Sequence, residues 1–236
     1  MRTLINVVTG LLLTSIAVGT FTSAHATDSE DGFWTVISST DSFPAGDEVS
    51  RWHYWFDSQA RYFDLGSGIN QYLVRPAVGY NIGDNLSAWV GYARFRSRNR
   101  AGSVSDENRY WQQISWTAGK WKSGTVSLRA RLEQRDLSTG DDLGLVLRTQ
   151  AKYVRPIGSD GKRYLALGIE PFIDLRDTDY GGDSGLGQNR ITMGIGWRLS
   201  DELTLEAGYM NQFIWVDSGE DRMNHVGTLN LKIKLK

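Results

Sequence analysis

From residue 51 onward, apolar and polar residues change places at almost every position, and this two-residue period constrains the chain more than any other property of it. Successive side chains of a β-strand point to opposite faces, so strict alternation describes a strand with one face in an apolar environment. Val126, Leu128, Ala130 and Leu132 stand against Ser127, Arg129, Arg131 and Glu133, and Leu143, Leu145 and Leu147 against Gly144, Val146 and Arg148. The pattern returns over 165–174, 190–199, 203–209 and 228–235, and more weakly over 51–63, 70–82, 86–96 and 109–120. Past residue 30, no segment longer than a few turns places apolar residues at i, i+3, i+4 and i+7, which leaves little room for helix. The expected fold class is all-β.

Such alternation serves two architectures, a soluble sandwich or barrel with its apolar face inward and an outer-membrane barrel with its apolar face outward. Three properties favour the second. Periodic segments of about 12 residues exceed the usual soluble strand of roughly 5 to 6 and suit a tilted membrane-spanning one. Aromatic residues, among them Trp52, Tyr80, Trp116, Tyr153, Trp197, Phe213 and Trp215, collect near the ends of the apolar faces, where an interfacial girdle lies. Connections near 82–85, 121–125, 156–162 and 200–202 are short, whereas those at 97–107, 136–142, 176–188 and 217–222 are mostly longer, acidic and rich in Gly, Ser and Asn. The expectation is therefore a single transmembrane antiparallel β-barrel over 51–236, apolar outside and polar and basic inside, set in bacterial outer-membrane lipid.

Single-chain bacterial barrels carry even strand numbers, and ten strands are counted from residue 51 to the last. Phe33–Ser39 resembles an eleventh. Either it is an extension beside ten strands, or residues 27–50 hold two short strands and the barrel has twelve. Residues 1–26 read as a cleaved signal peptide: Arg2, a mostly apolar stretch from Leu4 to Phe21, and the small-x-small site Ala24-His25-Ala26 before acidic residues. Its removal leaves 210 of the 236 residues, with 25 of the 26 basic side chains and all 27 acidic ones.

Composition closes other routes. The mean hydropathy of −0.36, with no apolar run after the N-terminal stretch long enough to cross a bilayer, excludes a helical membrane protein. The chain has no cysteine, which excludes a disulfide scaffold and thiolate chemistry. A net charge of −1 and acidic connections argue against a nucleic-acid partner.

Several strings in order along the chain resemble one family: Arg75-Pro76-Ala77-Val78-Gly79-Tyr80, Glu107-Asn108-Arg109-Tyr110-Trp111-Gln112-Gln113, Arg131-Leu132-Glu133-Gln134-Arg135, Glu170-Pro171-Phe172, Gln188-Asn189-Arg190, Gly208-Tyr209-Met210-Asn211-Gln212 and Asn224-His225. Together they resemble the domain-of-unknown-function 2490 family of bacterial outer-membrane barrel proteins, over nearly the whole mature chain. The resemblance implies a barrel fold and an outer-membrane location, and it implies no reaction.

Carried through the strands, the alternation turns thirteen basic side chains inward (Arg51, Arg61, Arg75, Arg109, Arg129, Arg131, Arg135, Arg148, Lys152, Arg190, Arg198, Lys232 and Lys234) against five acidic ones (Asp57, Glu133, Glu170, Asp174 and Glu206). A low-dielectric wall lined by one sign of charge concentrates the opposite ion, so a porin-like lumen favouring small anionic solutes such as acidic sugars is expected. The candidate pore-lining residues are Arg75, Arg109, Arg129, Arg131, Glu133, Arg148, Lys152, Glu170, Arg190, Arg198 and Glu206. The alternative is a filled, structural barrel in which arginines pair with the carboxylates, and inward glycines such as Gly79 and Gly91 make room for Trp55, Trp89 and Trp111.

Two further chemistries have candidate residues in the chain. His225, facing outward near Asn211, could act as a general base for outward Ser58 in a lipid hydrolase, but Ser58 lies in no serine motif. Asp177, Asp179 and Asp183 have a spacing suited to Ca²⁺, yet Gln188 stands where the twelfth-position glutamate belongs. No catalytic residue, metal or cofactor is expected.

Overall fold

The computed structural model describes residues 27–44, 50–63, 70–99, 101–216 and 219–235, so the expected signal peptide lies outside the described residues. Among these, eleven strands close into one barrel. They are β1 (Thr27–Ser42), β2 (Trp52–Phe63), β3 (Gln71–Gly83), β4 (Leu86–Arg98), β5 (Val104–Trp121), β6 (Gly124–Leu137), β7 (Leu143–Ile157), β8 (Arg163–Asp174), β9 (Gly185–Arg198), β10 (Leu203–Ile214) and β11 (Asp221–Ile233). Each pairs antiparallel with its neighbour in sequence, and β1 closes the ring by pairing antiparallel with β2 and parallel with β11.

The odd strand number departs from the even count expected. Phe33–Ser39 is neither an extension nor one of two short strands but the middle of the 16-residue β1. A parallel seam removes the requirement that both ends of the wall lie at one rim. Thr27 sits opposite Asp221 at the rim of the longer loops, and Ile233 lies at the rim of the short turns beside Leu203. The 27–50 segment is thus largely wall.

Burial is inverted relative to a water-soluble domain. Aliphatic side chains cover the outside, with Val90 60% and Met193 54% exposed, whereas Arg131 and Glu133 inside are 0% and 1% exposed. Apolar surface of this extent suits contact with lipid, and closure leaves no unpaired strand edge among the described residues. Aromatic pairs mark the ends of this belt: Trp52 with Tyr80 and Trp121 with Tyr153 towards the short turns, and Phe213 with Trp215 towards the long loops.

Candidate functional site

The centre of the lumen is packed on the side of β2 to β6. Trp55 meets Trp89 and Trp111 edge to face, with centroids 6.2 and 5.6 Å apart. Trp89 and Trp111 fit because each has a glycine as a cross-strand partner. A Cβ on Gly79 would lie 2.4 Å from the Trp89 ring, and one on Gly91 2.2 Å from the Trp111 ring. Arg131 covers the stack, its Cζ 4.0 Å from the Trp111 centroid and 5.1 Å from that of Trp55.

Around this stack, five carboxylates hold eight cations. Asp57 pairs with Arg75 at 2.6 Å, and Glu107 with Arg109 at 2.6 Å. Glu133 takes Arg148 at 2.6 Å and Arg135 at 2.7 Å, with Arg131 and Arg109 farther off. Glu170 accepts from Arg148 at 2.7 Å and also from Arg129. Glu206 joins Lys232 at 2.6 Å and Lys152 at 3.8 Å, and accepts from the Tyr164 hydroxyl. Removing an ion from water costs several kcal/mol even in real proteins, and these ion pairs offset part of that cost.

Two inward arginines stand outside the lattice. Among the described residues neither Arg61 nor Arg190 has an ion pair with a carboxylate, and each is held instead by neutral amides. Arg61 donates to Gln59 Oε1 from Nη2 (2.8 Å) and Nε (3.2 Å), and to Gln71 Oε1 from Nη1 (3.3 Å). The Gln188 amide, oriented with its oxygen toward Arg190, accepts from Nε at 2.6 Å and Nη2 at 3.1 Å. Both guanidinium groups also lie over the Trp34 ring, at 3.9 and 4.9 Å from its centroid.

Three cavities follow one another along the lumen. One of about 760 Å³ occupies the long-loop end, one of about 310 Å³ the middle and one of about 340 Å³ the short-turn end. The first two share Trp34, Arg61, Arg109 and Arg190, and the last two share Arg129 and Gln150. The middle cavity lies against the small residues Thr192, Gly194, Gly208 and Thr228 of β9 to β11, with Arg75 and Arg129 also in its lining. The described residues lining the long-loop cavity include six arginines, Arg61, Arg98, Arg109, Arg135, Arg190 and Arg222, and one carboxylate, Glu30.

The candidate residues from the sequence divide accordingly. Arg75, Arg109, Arg129, Arg148, Lys152, Glu170, Arg190 and Glu206 line a cavity. Arg131 and Glu133 are enclosed in the packed centre. Arg198 stands exposed at the short-turn rim, where it donates to the Gly161 carbonyl. Arg129, Arg131, Arg148 and Lys152 are balanced by Glu133, Glu170 and Glu206 together. Sequence reading missed Glu107, although it has the same inward parity as Arg109, and passed over the amides Gln59, Gln188, Gln212 and Asn224.

The structure does not assemble the hydrolase pair. Ser58 is opposite Ile37 on β1, which separates β2 from β11, and Ile37 is opposite Leu231, six positions along β11 from His225. His225 Nδ1 meets the Tyr209 hydroxyl at 2.6 Å instead. Among the described residues no group of His, Asp and Glu is arranged to hold a metal ion. Asp179 clasps two loops, accepting from the backbone N–H of Asp141 (2.8 Å) and Asp142 (3.2 Å), and Asp177 accepts from that of Ser184. Those N–H groups hold both carboxyls below the usual aspartate range.

A closed wall with its aliphatic side chains outward and a charged, tryptophan-packed interior defines an outer-membrane-type β-barrel protein. The chain belongs to the DUF2490 family, proteins of unknown function, whose profile matches residues 31–224. It is similar to an uncharacterized protein of Methylorubrum extorquens, with 32% identity over 229 residues that span 96% of this chain and 98% of that one. Among solved structures it is similar to the outer-membrane expressed OmpT of Vibrio cholerae, at 14% identity and a TM-score of 0.39, over 69% of this chain and 55% of that one. The chain thus spans little more than half the length of that structure.

Proposed function

We propose that the barrel sits in the bacterial outer membrane and admits small anionic solutes, acidic sugars or similar organic acids, through a narrow basic lumen. The observation that carries this reading is the long-loop cavity, where six arginines meet one carboxylate among the described lining residues. A mouth of that charge raises the local concentration of anions and repels cations of the same size. The shared lining of the three cavities supports a path past the tryptophan stack along the β9 to β11 wall. The test is release of trapped solutes from liposomes carrying the purified barrel. Galacturonate is expected to escape faster than galactosamine, a cation on a similar ring, and equal rates or faster galactosamine would contradict the reading. The enclosed Trp111, Arg131 and Glu133 favour a second reading, a filled structural barrel, and release of neither solute would select it.

A further inference from the structure

We propose that Arg61 and Arg190 form a specific binding site for the carboxylate of a hydroxylated organic acid, at the junction of the long-loop and middle cavities. The proposal deepens the reading of an anion-admitting barrel and names where its solute is held.

Two other lumen arginines are set against a carboxylate two positions earlier on their own strands, Arg109 against Glu107 and Arg135 against Glu133. At the corresponding positions beside Arg61 and Arg190 stand Gln59 and Gln188. A glutamine oxygen orients a guanidinium as a glutamate oxygen does without neutralising it, and Glu170, which faces Arg190 across the β8–β9 pair, makes its ion pairs with Arg148 and Arg129. The two arginines are therefore fixed in place while remaining electrostatically available, the state in which a planar fork captures a carboxylate. Their distances to the one Trp34 ring, 3.9 and 4.9 Å, keep the two Cζ atoms within about 9 Å of each other, close enough for one small ligand to reach both.

The surroundings specify more than charge. Trp34 and Asn224 line the same cavity, are 5% and 4% exposed, and carry buried polar atoms, Nε1 and Oδ1, without a hydrogen-bond partner among the described residues. Buried polar atoms ordinarily have partners. A ligand with hydroxyls as well as a carboxylate would meet these polar side chains and the amides Gln188 and Gln212 in the same cavity, whose volume of about 760 Å³ is that of a small-molecule site.

The test is titration calorimetry of the detergent-solubilised barrel with galacturonate, with galactose and inorganic phosphate as comparison arms. Galacturonate is expected to bind at least tenfold more tightly than either. Gln188→Glu, which supplies Arg190 with the carboxylate it lacks, is expected to weaken galacturonate at least tenfold without lowering the unfolding midpoint. Arg61→Gln, with folding checked by heat-modifiable gel mobility, is expected to weaken it similarly. Equal affinity for galactose, tighter binding of phosphate, or unchanged affinity in folded Gln188→Glu would overturn the site. Binding is read at equilibrium and needs no conduction. A barrel that binds galacturonate but does not release it from liposomes defeats the reading of passage and leaves the site standing, while release with variant-insensitive binding does the reverse.

Discussion

Glu133 and Arg148 meet at 2.6 Å across the adjacent strands β6 and β7, with exposures of 1% and 5%, and this pair ties the two halves of the ionic lattice together. Arg148 also reaches Glu170, and Glu133 also takes Arg135. Removing one partner of a buried pair leaves an uncompensated charge, at a cost of about 3 to 5 kcal/mol. Glu133→Gln is therefore expected to lower the guanidinium midpoint of the refolded barrel, with an unchanged denaturant slope and a loss of roughly that size. A midpoint equal to that of the wild type would show that water or counter-ions already screen the lattice.

The tryptophan stack makes a separate prediction about permeation. Trp111 is 1% exposed and fills the space that Gly91 leaves, so Trp111→Ala would open the packed side of the lumen beside the middle cavity. Single-channel conductance in planar bilayers is expected to rise, while stability falls by about 3 to 5 kcal/mol, as for other large-to-small interior changes. Gly91→Ala acts in the opposite sense. Its Cβ would collide with the Trp111 ring, and overpacking of this kind costs about 1 to 3 kcal/mol. Conductance untouched by Trp111→Ala would place the conducting path entirely along the β9 to β11 wall.

Alternation revealed the faces of β6 to β11 because their outward residues are mostly apolar, aliphatic along the middle and aromatic toward the ends. It failed for β1, where Thr35 and Ser39 share the outward face with Phe33 and Ile37, and Trp34 and Val36 share the inward one with Ser38. Neither face is uniform there, even though Trp34 packs inside against Met210, Val226 and Phe63. Glu107 was missed for a related reason. The acidic, serine-rich stretch before it reads as a loop, yet β5 already begins at Val104 and carries Glu107 inside to Arg109 and Arg135. The basic lumen was visible as a count of charges. Which arginines keep a free charge depended on the residue two positions away being Glu or Gln, and on which strands became neighbours.

The loop clasp at the long-loop rim has a definite acid limit. Two backbone N–H groups stabilise the Asp179 carboxylate and depress its pKa, so the clasp is fully present above the ordinary aspartate range. It is lost only as pH falls through the depressed value. Slow hydrogen exchange at the Asp141 and Asp142 amides is therefore expected to persist through the reference aspartate value of roughly 3.9 and to fail only at lower pH. Asp179→Asn should speed that exchange at neutral pH. Opening of the loops already at pH 6 would mean that another group controls them.

The central claim is that the lumen prefers anions, and the zero-current potential of the reconstituted barrel in a KCl gradient measures that preference directly. The account predicts a reversal potential of the sign that marks chloride as the more permeant ion. Exchanging the exposed rim arginines that line the long-loop cavity, by Arg98→Glu with Arg222→Glu, should move it toward zero without unfolding the barrel. A potential of the cation-selective sign in the wild type, or an anion preference unmoved by the double exchange, would contradict the role given to the basic mouth.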